Sequence, residues 1–145
     1  MNGRALLLSL KPRFAEAIFE GRKTVELRRV PPRVGPGDLV FVYVTSPRCL
    51  LEGAFEVSRV LHGSPGGLWK AVREHCGLAK AEYRTYFSAA RRAYGIVIRR
   101  SWRLDSPVDM AFLRAQDIRP PQGYRYLDGR FLGRLKRRCV PAVTS

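Results

Sequence analysis

The chain has 145 residues, and 27 Lys plus Arg against 12 Asp plus Glu leave a formal net charge of +15. That length suits one domain, and a hydrophobic fraction of 46% with 27% charged residues supplies a core, which excludes a disordered basic tail as the source of the charge. No apolar run reaches the roughly 18 residues that span a bilayer, and Ala5 to Leu10 is too short for a signal-peptide core, so a cytoplasmic protein with no membrane partner is expected.

Ala5 to Leu10 is a short apolar run stopped by Lys11-Pro12, the pattern of a buried strand followed by a helix that begins at proline. Phe14, Ala15, Ile18 and Phe19 recur at helical spacing up to Glu20, and Gly21 stands where a C-terminal glycine cap belongs. Lys23 to Arg29 alternates Val25 and Leu27 with Thr24, Glu26 and Arg28, which predicts a half-buried strand with one charged face. After the turn-rich segment Pro31 to Asp38, Leu39 to Val44 is a continuous β-favouring run closed by Thr45-Ser46-Pro47. A longer strand is expected over about Cys49 to Leu61, with Gly53 marking a bulge or tight bend, and His62 to Gly67 reads as a loop. Two short helices follow, Leu68 to Cys76 and Lys80 to Ser88, then a strand from Ala93 extending to about Leu104. Asp109 to Ala115 reads as a helix, Arg119 to Tyr126 as an irregular loop, and the segment 128–145 as a basic tail piece containing a short helix. The strands outnumber the helices and cannot all be joined by helical crossovers. The expected class is therefore α+β, a small barrel of about five to six mainly antiparallel strands with flanking short helices, in a single domain over 1–145.

The basic residues comprise 5 Lys and hence 22 Arg, a bias toward the side chain that makes bidentate phosphate contacts and stacks on bases. GC-rich coding or a hot habitat would also raise Arg over Lys, but neither explains the shortage of acids. Cys49, Cys76 and Cys139 lie far apart and the only two histidines are His62 and His75, so no disulfide frame, metal centre or other cofactor is expected.

Leu8-Ser9-Leu10-Lys11-Pro12, the helix after it, and Gly21 to Arg28 in the pattern G-x-K-x-x-E-x-R together resemble the ASCH domain family of the PUA-like superfamily. Tyr43 to Pro47, Gly53 to Val57, Tyr86-Phe87, Ala93 to Ile96 and Pro120-Pro121-Gln122 extend the likeness to about Tyr126. The resemblance implies a PUA-like pseudo-β-barrel with a cleft between sheet and helices, and a role linked to RNA. On the residues themselves, a carboxylate at Glu26 flanked by Lys23 and Arg28 can address a base edge or exocyclic amine while the cations take phosphate or a carbonyl. Thr24 shares that face, and Thr45 and Ser46 offer hydroxyls and backbone donors at a strand end. The competing assignments are an ordinary strand-face ion pair for Glu26 and Arg28 and an ordinary turn for Thr45-Ser46.

Tyr124, Arg125 and Tyr126 bracket a cation with aromatics, and Arg130, Arg134, Lys136, Arg137 and Arg138 follow closely, a combination suited to base stacking with phosphate neutralisation. The same tyrosines would also serve to cover the barrel. Tyr43 and Tyr94 are expected in the core and Trp69 in helix packing; Trp102 is a further stacking candidate. The expected partner is RNA, whether tRNA, rRNA or another structured RNA, rather than DNA, because no helix-turn-helix pattern is readable. The alternative is a hydrolase using Lys23 and Glu26, either a modified-nucleoside amidohydrolase or a ribonuclease. The amidohydrolase of the resembling family carries threonine three residues after its lysine; here that position is Glu26, so the hydroxyl nucleophile is missing.

Overall fold

A computed structural model describes residues 5–121 and 124–127. Strand β1 (Ala5–Leu10) leads through Lys11 into helix α1 (Pro12–Phe19), then β2 (Val25–Arg28), β3 (Leu39–Val44) and the long β4 (Leu50–Gly63). Helices α2 (Pro65–Val72) and α3 (Lys80–Tyr86) precede the longest strand, β5 (Ala93–Asp109), and helix α4 (Met110–Ala115) and strand β6 (Tyr124–Leu127) end the described chain. The strands form one curled six-stranded sheet in the order β2-β5-β4-β3-β1-β6, a half-barrel flanked by the four short helices. Only β1 and β3 run parallel; every other neighbouring pair is antiparallel.

The apolar runs of β1, interrupted only by Ser9, and of β3 follow from burial on both faces. Leu7, Phe41 and Tyr43 join one core cluster with Leu51, Leu104, Val108 and Leu113. Leu6, Leu8, Val40 and Val42 point the other way, onto Ala15 and Ile18 of α1 and onto Phe55, Val57 and Ile96. A third cluster lies beneath α2 and α3, where Val25 and Leu27 of β2 meet Leu68, Val72, Tyr83 and Phe87. The curl is produced where β4 meets β5: their register slips between Leu51 and Gly53 and twice more between Glu56 and Arg59, the local kinks that bulges impose on a ladder.

Several boundaries depart from the sequence expectation. Tyr124 to Leu127 is a strand rather than part of a loop, because it pairs antiparallel with β1 in the register Leu8↔Tyr124 to Ala5↔Leu127. His62 and Gly63 continue β4 opposite Tyr94 and Ala93 instead of opening a loop. Helix α2 starts earlier than Leu68, at Pro65, because Ser64 caps it by accepting the Gly67 N–H at 3.1 Å. Strand β5 runs past Leu104 to Asp109, held by Leu51↔Val108 and Leu50↔Asp109. The basic segment 128–145, with Arg130, Arg134, Arg137 and Arg138, lies outside the described residues.

Tyr43 and Tyr83 are only 4% and 3% exposed, and burial pushes both phenols up to about 12. In the unfolded chain a phenol ionises near pH 10, so between about pH 10 and 12 the native state holds protons that the unfolded state has released, and stability falls as pH rises through that window. A spectrophotometric titration is expected to show at least two of the six tyrosines ionising only near pH 12 or together with loss of near-UV circular dichroism. Ionisation of all six near pH 10 with the fold intact would contradict this burial.

Candidate nucleic-acid interface

The G-x-K-x-x-E-x-R segment is set in place by the end of α1. Gly21 adopts φ +80°, its N–H donates to the Ile18 carbonyl at 3.1 Å, and the Arg22 N–H reaches back to the Ala17 carbonyl at 2.8 Å. This paired closure needs a left-handed residue at Gly21 and turns the chain sharply off the helix. The Thr24 and Val25 N–H groups then both donate to the His75 carbonyl, at 2.8 and 3.0 Å, which fastens the start of β2 to the loop after α2.

Lys23 is consequently not a surface cation. Its side chain is 3% exposed, and its ammonium donates to the carbonyls of Cys76 at 2.6 Å and Val25 at 3.0 Å. The third direction faces Glu26 Oε1 at 3.4 Å, while Glu26 Oε2 accepts from Arg28 Nη2 at 2.7 Å. Alternation along β2 sends Val25 and Leu27 into the core beneath α2 and α3 and puts Glu26 and Arg28 on the opposite face. The result is a largely buried cation–carboxylate–cation triad at the wall of a cleft.

That cleft has a volume of about 750 Å³ and lies between the end of β1, the start of α1, β2 and α3. Ser9, Lys11 and Phe14 line it from β1 and α1, Thr85 and Tyr86 line it from α3, and Thr45 contributes from the end of β3. The Tyr86 hydroxyl donates to the Leu27 carbonyl at 3.2 Å, and the Arg29 guanidinium lies 4.8 Å from the Tyr86 ring centroid. Burial pushes the Tyr86 phenol up, with the neighbouring Arg28 and Arg29 charges acting against it. Glu82, also on the rim, accepts from Arg13 and from the Ala79 N–H, and those bonds hold its carboxyl below the ordinary value. The cleft therefore offers aromatic surface, hydroxyls, and charges of both signs fixed in position.

The structure gathers Lys23, Glu26, Arg28 and Thr45 in this cleft, but Ser46 is exposed and Thr24 is absent from the lining. Arg125 and Tyr126 lie on β6, at the sheet edge opposite β2, and the Tyr126 hydroxyl accepts the Arg33 N–H at 2.6 Å. Trp102, on β5 beneath the Arg100 guanidinium at 5.4 Å, does not line the cleft either. Phe14, Thr85 and Tyr86 add to the lining; in the sequence the helical spacing of Phe14 and the Tyr86-Phe87 pair are the signals for two of them, and Thr85 carries none.

The sequence profile of the ASCH domain matches residues 8–102, which include the second half of β1, α1, the triad and every residue that lines the cleft. The chain belongs to the ASCH domain family. Among ASCH proteins, the ASCH domain-containing ribonuclease from Zymomonas mobilis is 28% identical over 123 residues, covering 83% of this chain and 82% of that protein. The crystal structure of ASCH from Zymomonas mobilis superposes with a TM-score of 0.85 at 27% identity, over 92% of this chain and 94% of that one. A variant of that protein gives the same TM-score of 0.85 over 96% of its chain. These matches make the curled mixed half-barrel the ASCH fold, as the sequence resemblance implied.

Proposed function

We propose that this ASCH protein binds RNA by admitting an unpaired base to the cleft, where the Glu26–Arg28 pair reads its edge and Tyr86 and Phe14 flank its ring. The observation that carries this reading is the fixed triad at the wall of a cleft large enough for a nucleotide. A carboxylate accepts from an exocyclic amine or ring N–H, and a guanidinium beside it donates to a neighbouring carbonyl, so the two together match the mixed edge of a base. Both Glu26 oxygens already face cations, and the Lys23 ammonium is engaged by two carbonyls. That arrangement suits hydrogen-bond recognition better than proton removal or charge capture in a reaction. The single domain spans 1–145 in this reading, in the cytoplasm, with Arg130, Arg134, Arg137 and Arg138 of the basic segment 128–145 and Arg125 holding backbone phosphates. Tyr124, Tyr126, Thr24 and Ser46 would then touch RNA outside the cleft.

A second reading, cleavage of the bound RNA, draws support from the Zymomonas relative named a ribonuclease. One set of assays separates the two. Fluorescence anisotropy with single-stranded RNA across a salt series is expected to show binding that weakens as salt rises. Glu26→Gln should weaken binding to the preferred base by about 1–3 kcal/mol while leaving the salt slope unchanged. Incubation with end-labelled RNA and with acetylated cytidine is expected to show no turnover; turnover lost in Glu26→Gln would favour the enzyme. Absence of binding at low salt would remove the proposal.

A further inference from the structure

Helix α3 has two working faces, and only one of them looks into the cleft. Ala81, Glu82, Thr85 and Tyr86 line the cleft, whereas Lys80, Tyr83, Arg84 and Phe87 line a second groove of about 380 Å³ between α3 and α2. The two sets are interleaved at spacings of three and four residues, as opposite faces of one short helix require. The second groove is built as a platform. Trp69 of α2 packs 4.7 Å from Tyr83, and Tyr83 packs 4.7 Å from Phe87, each pair tilted. The Tyr83 hydroxyl donates to the Pro65 carbonyl at 2.7 Å, tying the groove floor to the start of α2.

Tyr83 and Phe87 are buried, but Trp69 is only half-buried and leaves part of its indole at the groove. Lys70, Lys80 and Arg84 surround it, all exposed, and among the described residues none of the three is paired with a carboxylate. Three uncompensated cations around an aromatic platform repel one another and lack a counter-charge. A nucleic-acid strand supplies both missing parts, phosphates for the cations and a base for the indole. The triad cleft, by contrast, carries its own compensating carboxylates in Glu26 and Glu82.

We infer that single-stranded RNA crosses α3, with one base in the triad cleft and a nucleotide further along the strand held over Trp69 by Lys70, Lys80 and Arg84. This rests on the RNA-binding reading above and extends it to the path of the strand. A helix with its side chains is about 10–12 Å across, and stacked nucleotides advance about 3.4 Å each, so the two sites are spanned by roughly three or four nucleotides.

The test uses Trp102→Phe protein, which leaves Trp69 as the single tryptophan of the two in the chain, titrated with oligouridylates from one to eight nucleotides. Trp69 fluorescence is expected to be quenched by the octamer and not by uridine monophosphate, with affinity rising steeply at about four nucleotides. In that background Lys80→Gln/Arg84→Gln is expected to weaken octamer binding about tenfold and to lower the single-strand salt slope by about 1.4 for two lost phosphate contacts. Octamer binding that depends on Glu26 but neither quenches Trp69 nor responds to the double substitution overturns the crossing path and leaves the cleft reading intact. Failure of every oligonucleotide to bind removes both.

Discussion

Glu26→Ala is expected to lower the stability of the protein by about 3–5 kcal/mol, and Glu26→Gln, which keeps the shape and one acceptor oxygen but not the charge, to lower it by a large part of that. The loss comes from what is left behind. The side chains of Lys23 and Arg28 are 3% and 13% exposed, and Glu26, itself 7% exposed, is the carboxylate that both of them face. Removing it takes away the countercharge that Lys23 and Arg28 face in a poorly solvated wall, and the desolvation that folding imposed on them is offset less. Lys23 retains its two carbonyl bonds, so it cannot swing out to water without orphaning the Val25 and Cys76 carbonyls in turn. Lys23→Met should therefore also destabilise, and the pair should couple: the Lys23→Met/Glu26→Ala double variant is expected to lose less than the sum of the single losses, by about 0.5–3 kcal/mol. Urea unfolding followed by circular dichroism measures the parent and the four variants, with an unchanged m-value as the check that the unfolding reaction is the same. A Glu26→Ala protein as stable as the parent would show that the carboxylate is not the counter-charge that the geometry makes it.

The same triad shows what the sequence could and could not disclose. Period-two alternation was enough to put Glu26 and Arg28 on one strand face, and an apolar run broken by Lys11-Pro12 was enough for β1 and α1. Lys23 was legible as a cation near Glu26, but its main partner, the Cys76 carbonyl, lies 53 residues away and belongs to a loop whose position depends on how α2 docks. No local pattern distinguishes a lysine that greets a ligand from one that staples two loops. Tyr86 and Thr85 were hidden for a related reason. A seven-residue helix announces its existence through spacing, but which face meets the cleft is decided by the aromatic packing of Tyr83 and Phe87 on the other side.

Strand β6 was masked by its surroundings. Proline and glycine density around Pro120 to Gly123 reads as irregular chain, and the strand exists because β1, at the other end of the sequence, presents an edge to it. Pairing across such a separation is a tertiary fact. It also moves Arg125 and Tyr126 to the edge of the sheet opposite β2, so a triplet that looked like an extension of the motif is distant from it in strand order. The charge with which the sequence opens is likewise divided by the fold. Near the triad, cations and carboxylates compensate one another, and among the described residues Lys70, Lys80 and Arg84 around Trp69 have no such carboxylate.

Gly53→Val is expected to be among the most disruptive single substitutions outside the triad, and Gly53→Ala to cost at least about 1–3 kcal/mol. A Cβ on Gly53 would stand 2.3 Å from Cε1 and 2.4 Å from Cζ of Phe19, and 2.5 Å from the Trp102 carbonyl oxygen. The Phe19 ring can turn aside, at the expense of its packing in the core under α1. The Trp102 carbonyl cannot, because it is backbone of β5, and moving it opens the β4–β5 ladder where Gly53 pairs with Arg103 beside a register slip. The effect should reach the cleft as well, although Gly53 does not line it. Phe19 is the last residue of α1, and the turn that follows sets Lys23. The helix end is held to β5 by the Ser101 hydroxyl on the Ile18 carbonyl at 3.0 Å and by Arg103 on Glu16. Displacing Phe19 therefore displaces the Gly21 closure and the triad with it. Gly53→Ala is expected to lose both stability in urea and affinity for single-stranded RNA, and Phe19→Ala in the Gly53→Ala background should recover neither fully, since the contact with the Trp102 carbonyl persists. Stability within about 0.5 kcal/mol of the parent for Gly53→Ala, or full rescue by Phe19→Ala, would mean that the two strands have more room at this slip than the close approach of Trp102 allows.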